Sequence, residues 1–201
     1  MAWIRTVDYA DSTGKLRRLY DRIKGPDDNV DNIMAVHSLR PHTLEAHMTV
    51  YKYILHHSAN ELPKRFLETV AVYVSLLNGC GYCVEHHFAG LRRLLADDAR
   101  ADAIFAALRA DRPQDIFEGA ELAMLRYTRT LTVAPATVTR SMLEELRGLD
   151  VDDGKILELN QVIAYFAYAN RTVLGLGVDT VGDILGLSPN DSDNPDDWSH
   201  R

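Results

Sequence analysis

The chain has 201 residues, 46% hydrophobic and 25% charged, with Lys+Arg 22 against Asp+Glu 29 and a formal net charge of -7. This is the composition of a globular protein rather than a disordered or fibrous one, and the length suffices for one domain with a real core. No cluster of basic residues interleaved with aromatics is present, so nucleic acid is excluded as an expected partner.

Apolar residues recur at spacings of three and four, and no long alternating run bounded by turn residues occurs, so the chain reads as helical nearly throughout. Ser12 is expected to cap a helix reaching about Lys24, which Gly25-Pro26 ends. A polar link over 27–32 follows, then a short helix over 32–39 and a longer one from Pro41 to about His57, with Leu44, Met48, Tyr51 and Leu55 on its apolar side. The next helix opens near Pro63 and closes at Asn78-Gly79. Leu62, Phe66, Val70, Tyr73 and Leu77 make one face of it and Glu68 points away, so burial on more than one side is expected.

A helix from Cys80 carries the apolar stripe Val84, Phe88, Leu91, Leu94 and Leu95. Cys80, Cys83 and His87 share that stripe, Glu85 and Arg92 face the other way, and His86 falls on the flank nearer Arg93. Further helices fit 100–110, 115–132, 137–148 and 152–174, with a last short one over 179–187. Residues 1–189 read as a single helical domain and 190–201 as an acidic tail, mobile or docked on a partner subunit. The most apolar stretch, Phe66 to Val84, contains Glu68, Asn78, Gly79 and Gly81 and does not read as a membrane span. The N-terminus lacks a basic segment followed by an apolar run and a cleavage site, so a cytoplasmic location is expected.

The chain's two cysteines stand as Cys80-Gly81-Tyr82-Cys83, with His87 four residues beyond Cys83 and Glu68 twelve before Cys80. Between Arg65 and Glu85 the only charged side chain is Glu68, and a carboxylate in such apolar surroundings needs a partner. In a reducing compartment a CxxC pair suggests redox or metal chemistry rather than a structural staple. A thiolate at a helix N-terminus is favoured by the unpaired N–H groups and the helix dipole, which points to Cys80 as the more acidic thiol. His87, one turn from Cys83, can take or return its proton, and Glu68 can fix the imidazole tautomer as the third member of the set. Such a relay ends on sulfur: a thiolate attacks a peroxide O–O bond, becomes a sulfenic acid and condenses with its neighbour to a disulfide, which an outside dithiol then reduces.

Glu68, Cys80-x-x-Cys83 and His87 at these spacings resemble the AhpD-like alkylhydroperoxidase branch of the carboxymuconolactone decarboxylase superfamily, most specifically over residues 62–95. The later Asn170-Arg171 and Leu176-Gly177-Val178 resemble its longer peroxidase-related members. The resemblance implies an all-α antiparallel helix bundle of two packed lobes, assembled as a homo-oligomer, a trimer or hexamer. It also implies thiol-dependent reduction of a hydroperoxide by an enzyme without cofactor or metal, reset by a dithiol reductant. Carried over by position, Cys83 is the peroxidatic thiol, Cys80 the resolving one, and Glu68 and His87 the proton relay. The helix dipole favours Cys80 and the spacing of His87 favours Cys83, so the order of attack stays open. Tyr82 departs from the pattern, since AhpD proteins carry a relay histidine there and tyrosine is a poor base near neutral pH.

The competing readings are a zinc site built from Cys80, Cys83, Glu68 and His86 or His87, which lacks a second CxxC or a separated histidine pair, a carboxymuconolactone decarboxylase-type lyase, and a non-catalytic redox sensor. His37, His42 and His47 read as solvent or core residues, and His56-His57 shows no ligand spacing. The run Val162, Ile163, Tyr165, Phe166 and Tyr168 reads as core or subunit interface, with Asn170 and Arg171 in packing or ion pairing.

Overall fold

Proline opens and glycine closes several of the helices, and the chain turns where these residues stand. The structure, a computed structural model, describes residues 2–194 and 197–200. In chain order the helices are α1 Gly14–Ile23, α2 Asn32–Ala35, α3 Pro41–Leu55, α4 Lys64–Leu77, α5 Gly81–Leu95, α6 Asp98–Arg109, α7 Gly119–Val133, α8 Arg140–Arg147 and α9 Asp153–Leu176. Single 3-10 turns begin at Pro26, Pro113 and Pro135. The described residues form no strand, and one isolated antiparallel bridge joins Pro189 to His200. No helix among them is long and apolar enough to cross a membrane.

Helix α4 is the hub. Its residues from Phe66 to Ser75 are buried without a break, as its apolar composition on more than one side requires. It packs most extensively on α5 and also meets α3, α6, α7 and α9. Fully burying each Val, Leu or Phe contributes about 1.5–3 kcal/mol before entropy is set against it. The main core runs through Phe66, Val70, Leu91, Leu125, Leu159 and Phe166, and a smaller cluster gathers Cys80, Tyr82 and Cys83 with Val36, Val173 and Val178.

The α4–α5 connection is tight. Gly79 has a φ of +70°, its N–H donates to the Leu76 carbonyl, and the Cys80 N–H donates to the Ser75 carbonyl at 2.9 Å. This is a Schellman termination, and it makes the residue that closes α4 also the N-cap of α5. Helix α9 ends the same way at Gly177, whose φ is +61° and whose Val178 N–H bonds to Val173. A side chain at Gly177 would meet the Trp3 ring.

Two expectations differ from the structure. Ser12 does not cap α1: its hydroxyl donates to the Tyr9 carbonyl and accepts from Arg17, and Thr13 holds the N-cap position. Residues 179–187 form turns rather than a helix. Gly182 and Gly186 adopt φ of +90° and +81°, and the Asp183 carboxylate is bound to the Asn32 N–H instead of its own segment. Gly186 lies so close to Ala89 and Gly90 of α5 that an added Cβ would come within 3.0 Å.

The described residues of the tail dock on the same chain. Lys52, fully buried, donates to the Asn190 carbonyl and the Ser192 hydroxyl. Lys64 pairs with Asp191 at 2.5 Å, and Arg22 stacks over the buried Trp198 ring. Acidic composition suggested a solvated end, whereas these cations and Trp198 anchor it.

Because Leu91 is fully buried in the main core, Leu91→Ala is expected to destabilise the protein by about 2–5 kcal/mol through lost transfer energy and the cavity left behind. A denaturant unfolding curve checks this, with a shift in midpoint at unchanged slope.

Candidate active site

A small cavity lies where α2, α3, α4, α5, α9 and the turns after Gly182 converge, with a volume of about 50 Å³. A water occupies roughly 10–15 Å³ on that measure, so the space suits a few waters or a small reacting group. Cys83, His87 and Glu68 line it, together with Asp31, Tyr82 and His86. Tyr51, Tyr165 and Phe166 supply apolar and aromatic wall.

The Schellman turn places the cysteines. Cys80 is fully buried and does not line the cavity, whereas Cys83, one turn into α5 and 2% exposed, does. Both are free thiols. The interaction with Cys83 lowers the Cys80 pKa against the opposing effect of burial, while the interaction with Cys80 and burial push Cys83 well up. The acidity order is therefore the one the helix dipole suggested, and the access order favours Cys83.

His87 and Glu68 meet across the α4–α5 interface: His87 Nδ1 lies 2.7 Å from Glu68 Oε2, with both side chains mostly buried. Burial raises the Glu68 pKa, but the adjacent His87 charge and hydrogen bond outweigh it and hold the carboxyl below its ordinary range. With Nδ1 so engaged, Nε2 is the nitrogen left for proton exchange. The edge of Phe166 packs at 4.6 Å between ring centroids against the imidazole and restricts its rotation.

Two residues of the site, Asp31 and Asp183, escaped the sequence reading, and the contacts of a third, Asn170, were not foreseen. Asn170, fully buried on α9, accepts from Asn78 and donates to the Ser75 hydroxyl. Its amide also lowers the pKa of both thiols, against burial. Packing or an inter-subunit ion pair was the expected use, and the resemblance that marked Asn170-Arg171 did not indicate these bonds. Asp183 accepts from the Tyr82 hydroxyl at 2.6 Å and approaches His86 Nε2 at 3.1 Å, 101 and 97 residues away in sequence. Asp31 lies beside them in the cavity wall.

His86 corrects the helical-phase assignment. Both histidines line the cavity, and His86 is 9% exposed. The turns at 182–188 cover the flank on which it lies, and a projection of α5 alone cannot show that cover. Tyr82 is held as a neutral phenol: burial and the Asp183 charge push its pKa far up, and its oxygen accepts the Ile33 N–H at 3.1 Å. Arg171 is exposed and donates to the Ala167 carbonyl of its own helix. Among the described residues no group of three or more His, Cys, Asp or Glu is arranged to hold a metal ion.

Residues 41–129, which include Glu68, Cys80, Cys83 and His87, match the sequence profile of the carboxymuconolactone decarboxylase family. No curated protein sequence matches the chain. Among solved structures, an uncharacterized peroxidase-related protein with an alkylhydroperoxidase AhpD core from Ralstonia eutropha JMP134 superposes with a TM-score of 0.76 at 22% identity, covering 89% of this chain and 92% of that one. A peroxidase-related protein from Silicibacter sp. TM1040 gives 0.66 at 23% identity, covering 75% and 76%. The debrominase Bmp8 gives 0.69 at 19% identity, covering 87% and 89%. The fold is thus the AhpD-like helical fold.

The lowered Glu68 pKa has a consequence for stability. A carboxyl that stays ionised in the folded protein below its ordinary value of 4.5 contributes stability that is complete above that pH and is lost as pH falls through the folded value. Glu68→Gln is expected to flatten this acid limb. Urea midpoints measured from pH 7 down to about pH 3 check it, and parallel curves for variant and wild type would contradict it.

Proposed function

We propose that this chain, whose residues 41–129 match the carboxymuconolactone decarboxylase family model, is a thiol-dependent peroxidase and disulfide oxidoreductase that reduces small hydroperoxides. The supporting observation is the meeting of Cys83, His87 and Glu68 at one cavity, with Cys80 packed in the same buried cluster as Cys83. Fold alone does not decide among chemistries, as the debrominase neighbour illustrates, so the reading rests on the site.

In this reading the cysteine pair carries one negative charge, resting on Cys80. Passing the Cys83 proton to Cys80 moves that charge to the sulfur that faces the cavity. The Cys83 thiolate attacks the distal peroxide oxygen, the S–O bond forms as the O–O bond breaks, and two electrons pass from sulfur to oxygen. Cys83 becomes a sulfenic acid and the departing alkoxide takes up a proton to become the alcohol. Cys80 then attacks the Cys83 sulfenic sulfur, closing a disulfide and releasing water. His87 Nε2 takes the Cys80 proton and hands it to the departing hydroxide, with Glu68 stabilising the imidazolium. An external dithiol restores both thiols by exchange, a supply that a cytoplasmic setting provides. The exposed Val50 and Tyr168, beside an apolar groove between α3 and α9, suit a homo-oligomer.

Cys83→Ser is expected to abolish hydroperoxide consumption in the presence of a dithiol, and His87→Ala to slow it by roughly 10²–10⁴-fold, the usual contribution of a positioned acid-base group. Unchanged turnover in Cys83→Ser contradicts the reading. A carboxymuconolactone-type lyase rate insensitive to thiol alkylation would replace it.

A further inference from the structure

The cavity lining carries, besides Glu68, a carboxyl group that the relay does not use. Asp31 stands at the N-cap of α2, where an aspartate ordinarily accepts an N–H from the first turn, but its side chain makes no such bond. The first-turn donors are satisfied from elsewhere: the Asn32 N–H donates to the Asp183 carboxylate at 3.0 and 3.1 Å, and the Ile33 N–H donates to the Tyr82 hydroxyl at 3.1 Å. Asp31 is left lining the cavity, 5% exposed, with Oδ1 buried and without a hydrogen-bond partner. A buried carboxyl oxygen lacking a partner calls for an explanation.

Burial pushes the Asp31 pKa up to about 7, with His86 opposing the rise and Asp183 adding to it. Cys83 lines the same cavity, and the alkoxide that leaves when Cys83 attacks needs a proton. Alkoxides are strongly basic, so a carboxylic acid held near neutrality is a competent donor.

We propose that Asp31 is the catalytic acid of O–O cleavage, donating its carboxyl proton to the departing alkoxide oxygen while Cys83 takes the distal oxygen. The inference rests on the hydroperoxide-reducing reading above. The step balances: sulfur is oxidised to the sulfenic acid, the peroxide is reduced to the alcohol, the Asp31 proton moves to the alcohol oxygen, and the carboxylate recovers a proton from water before the next turnover. The Tyr82–Asp183–His86 network positions it by occupying the helix donors that would otherwise draw the carboxylate away.

The test compares two oxidants of similar size that differ in leaving group. Ethyl hydroperoxide expels an alkoxide that needs a proton, and peracetic acid expels acetate that does not. Single-turnover oxidation of the reduced full-length protein is followed for wild type, Asp31→Asn and Asp31→Ser. Both variants are expected to slow with ethyl hydroperoxide by roughly 10²-fold while staying within about twofold of wild type with peracetic acid. Equal loss with both oxidants, or no loss with either, overturns Asp31 as the acid while leaving the thiol chemistry in place. A wild-type protein inert to both overturns the peroxidase reading and this inference together.

Discussion

The contact between Glu68 and His87 sets the terms for everything around it. A carboxylate within the unbroken buried run of α4 would be untenable alone, because an unpaired buried charge costs more than a helix of this size can offset. Placing the imidazole Nδ1 2.7 Å away resolves that cost and fixes the register of α5 against α4. Cys83 precedes His87 by one turn, so the same register brings the thiol to the cavity. The Schellman turn at Gly79 then leaves Cys80 only one position to occupy, behind Cys83 at the end of the helix it starts.

Around this pair the fold supplies two further layers of polar order. Asn170, reaching in from α9, bonds Asn78 and Ser75 at the end of α4, and so ties α9 to the segment whose terminating turn leads into the cysteines. Asp183 collects Tyr82, His86 and the start of α2 into one network. The tail completes the enclosure. Ser188 and His200 line the cavity, and the anchors Lys52, Lys64 and Arg22 hold that segment down. A site so enclosed strengthens each electrostatic interaction within it by excluding water.

Much of this is legible in the residue order, and the reasons for the gaps are physical. Helix periodicity and the proline and glycine breakers located α3, α4, α5 and α9 to within a few residues, because those signals are local. The Glu68–His87 partnership was legible because the apolar segment offered Glu68 no other charge. Asp183 and Asn170 were not, since their partners lie between 92 and 151 residues away in contacts that no spacing rule reports, and Asp31 was not, since only the folded chain brings it to the cavity wall. His86 was misassigned for the same reason: its flank of α5 reads as open until the turns at 182–188 cover it. Tyr82, which breaks the relay pattern of the resembling family, belongs to the Asp183 network and serves as a hydrogen-bond donor and acceptor rather than as a base.

The account makes Cys80 and Cys83 a single redox unit opening on one cavity. The most direct measurement is a titration of free thiols in the denatured protein before and after one equivalent of hydroperoxide, without reductant. The account predicts that both thiols present in the reduced protein disappear together and return on adding a dithiol. Thiols that survive the peroxide unchanged, or are lost without recovery, would contradict it.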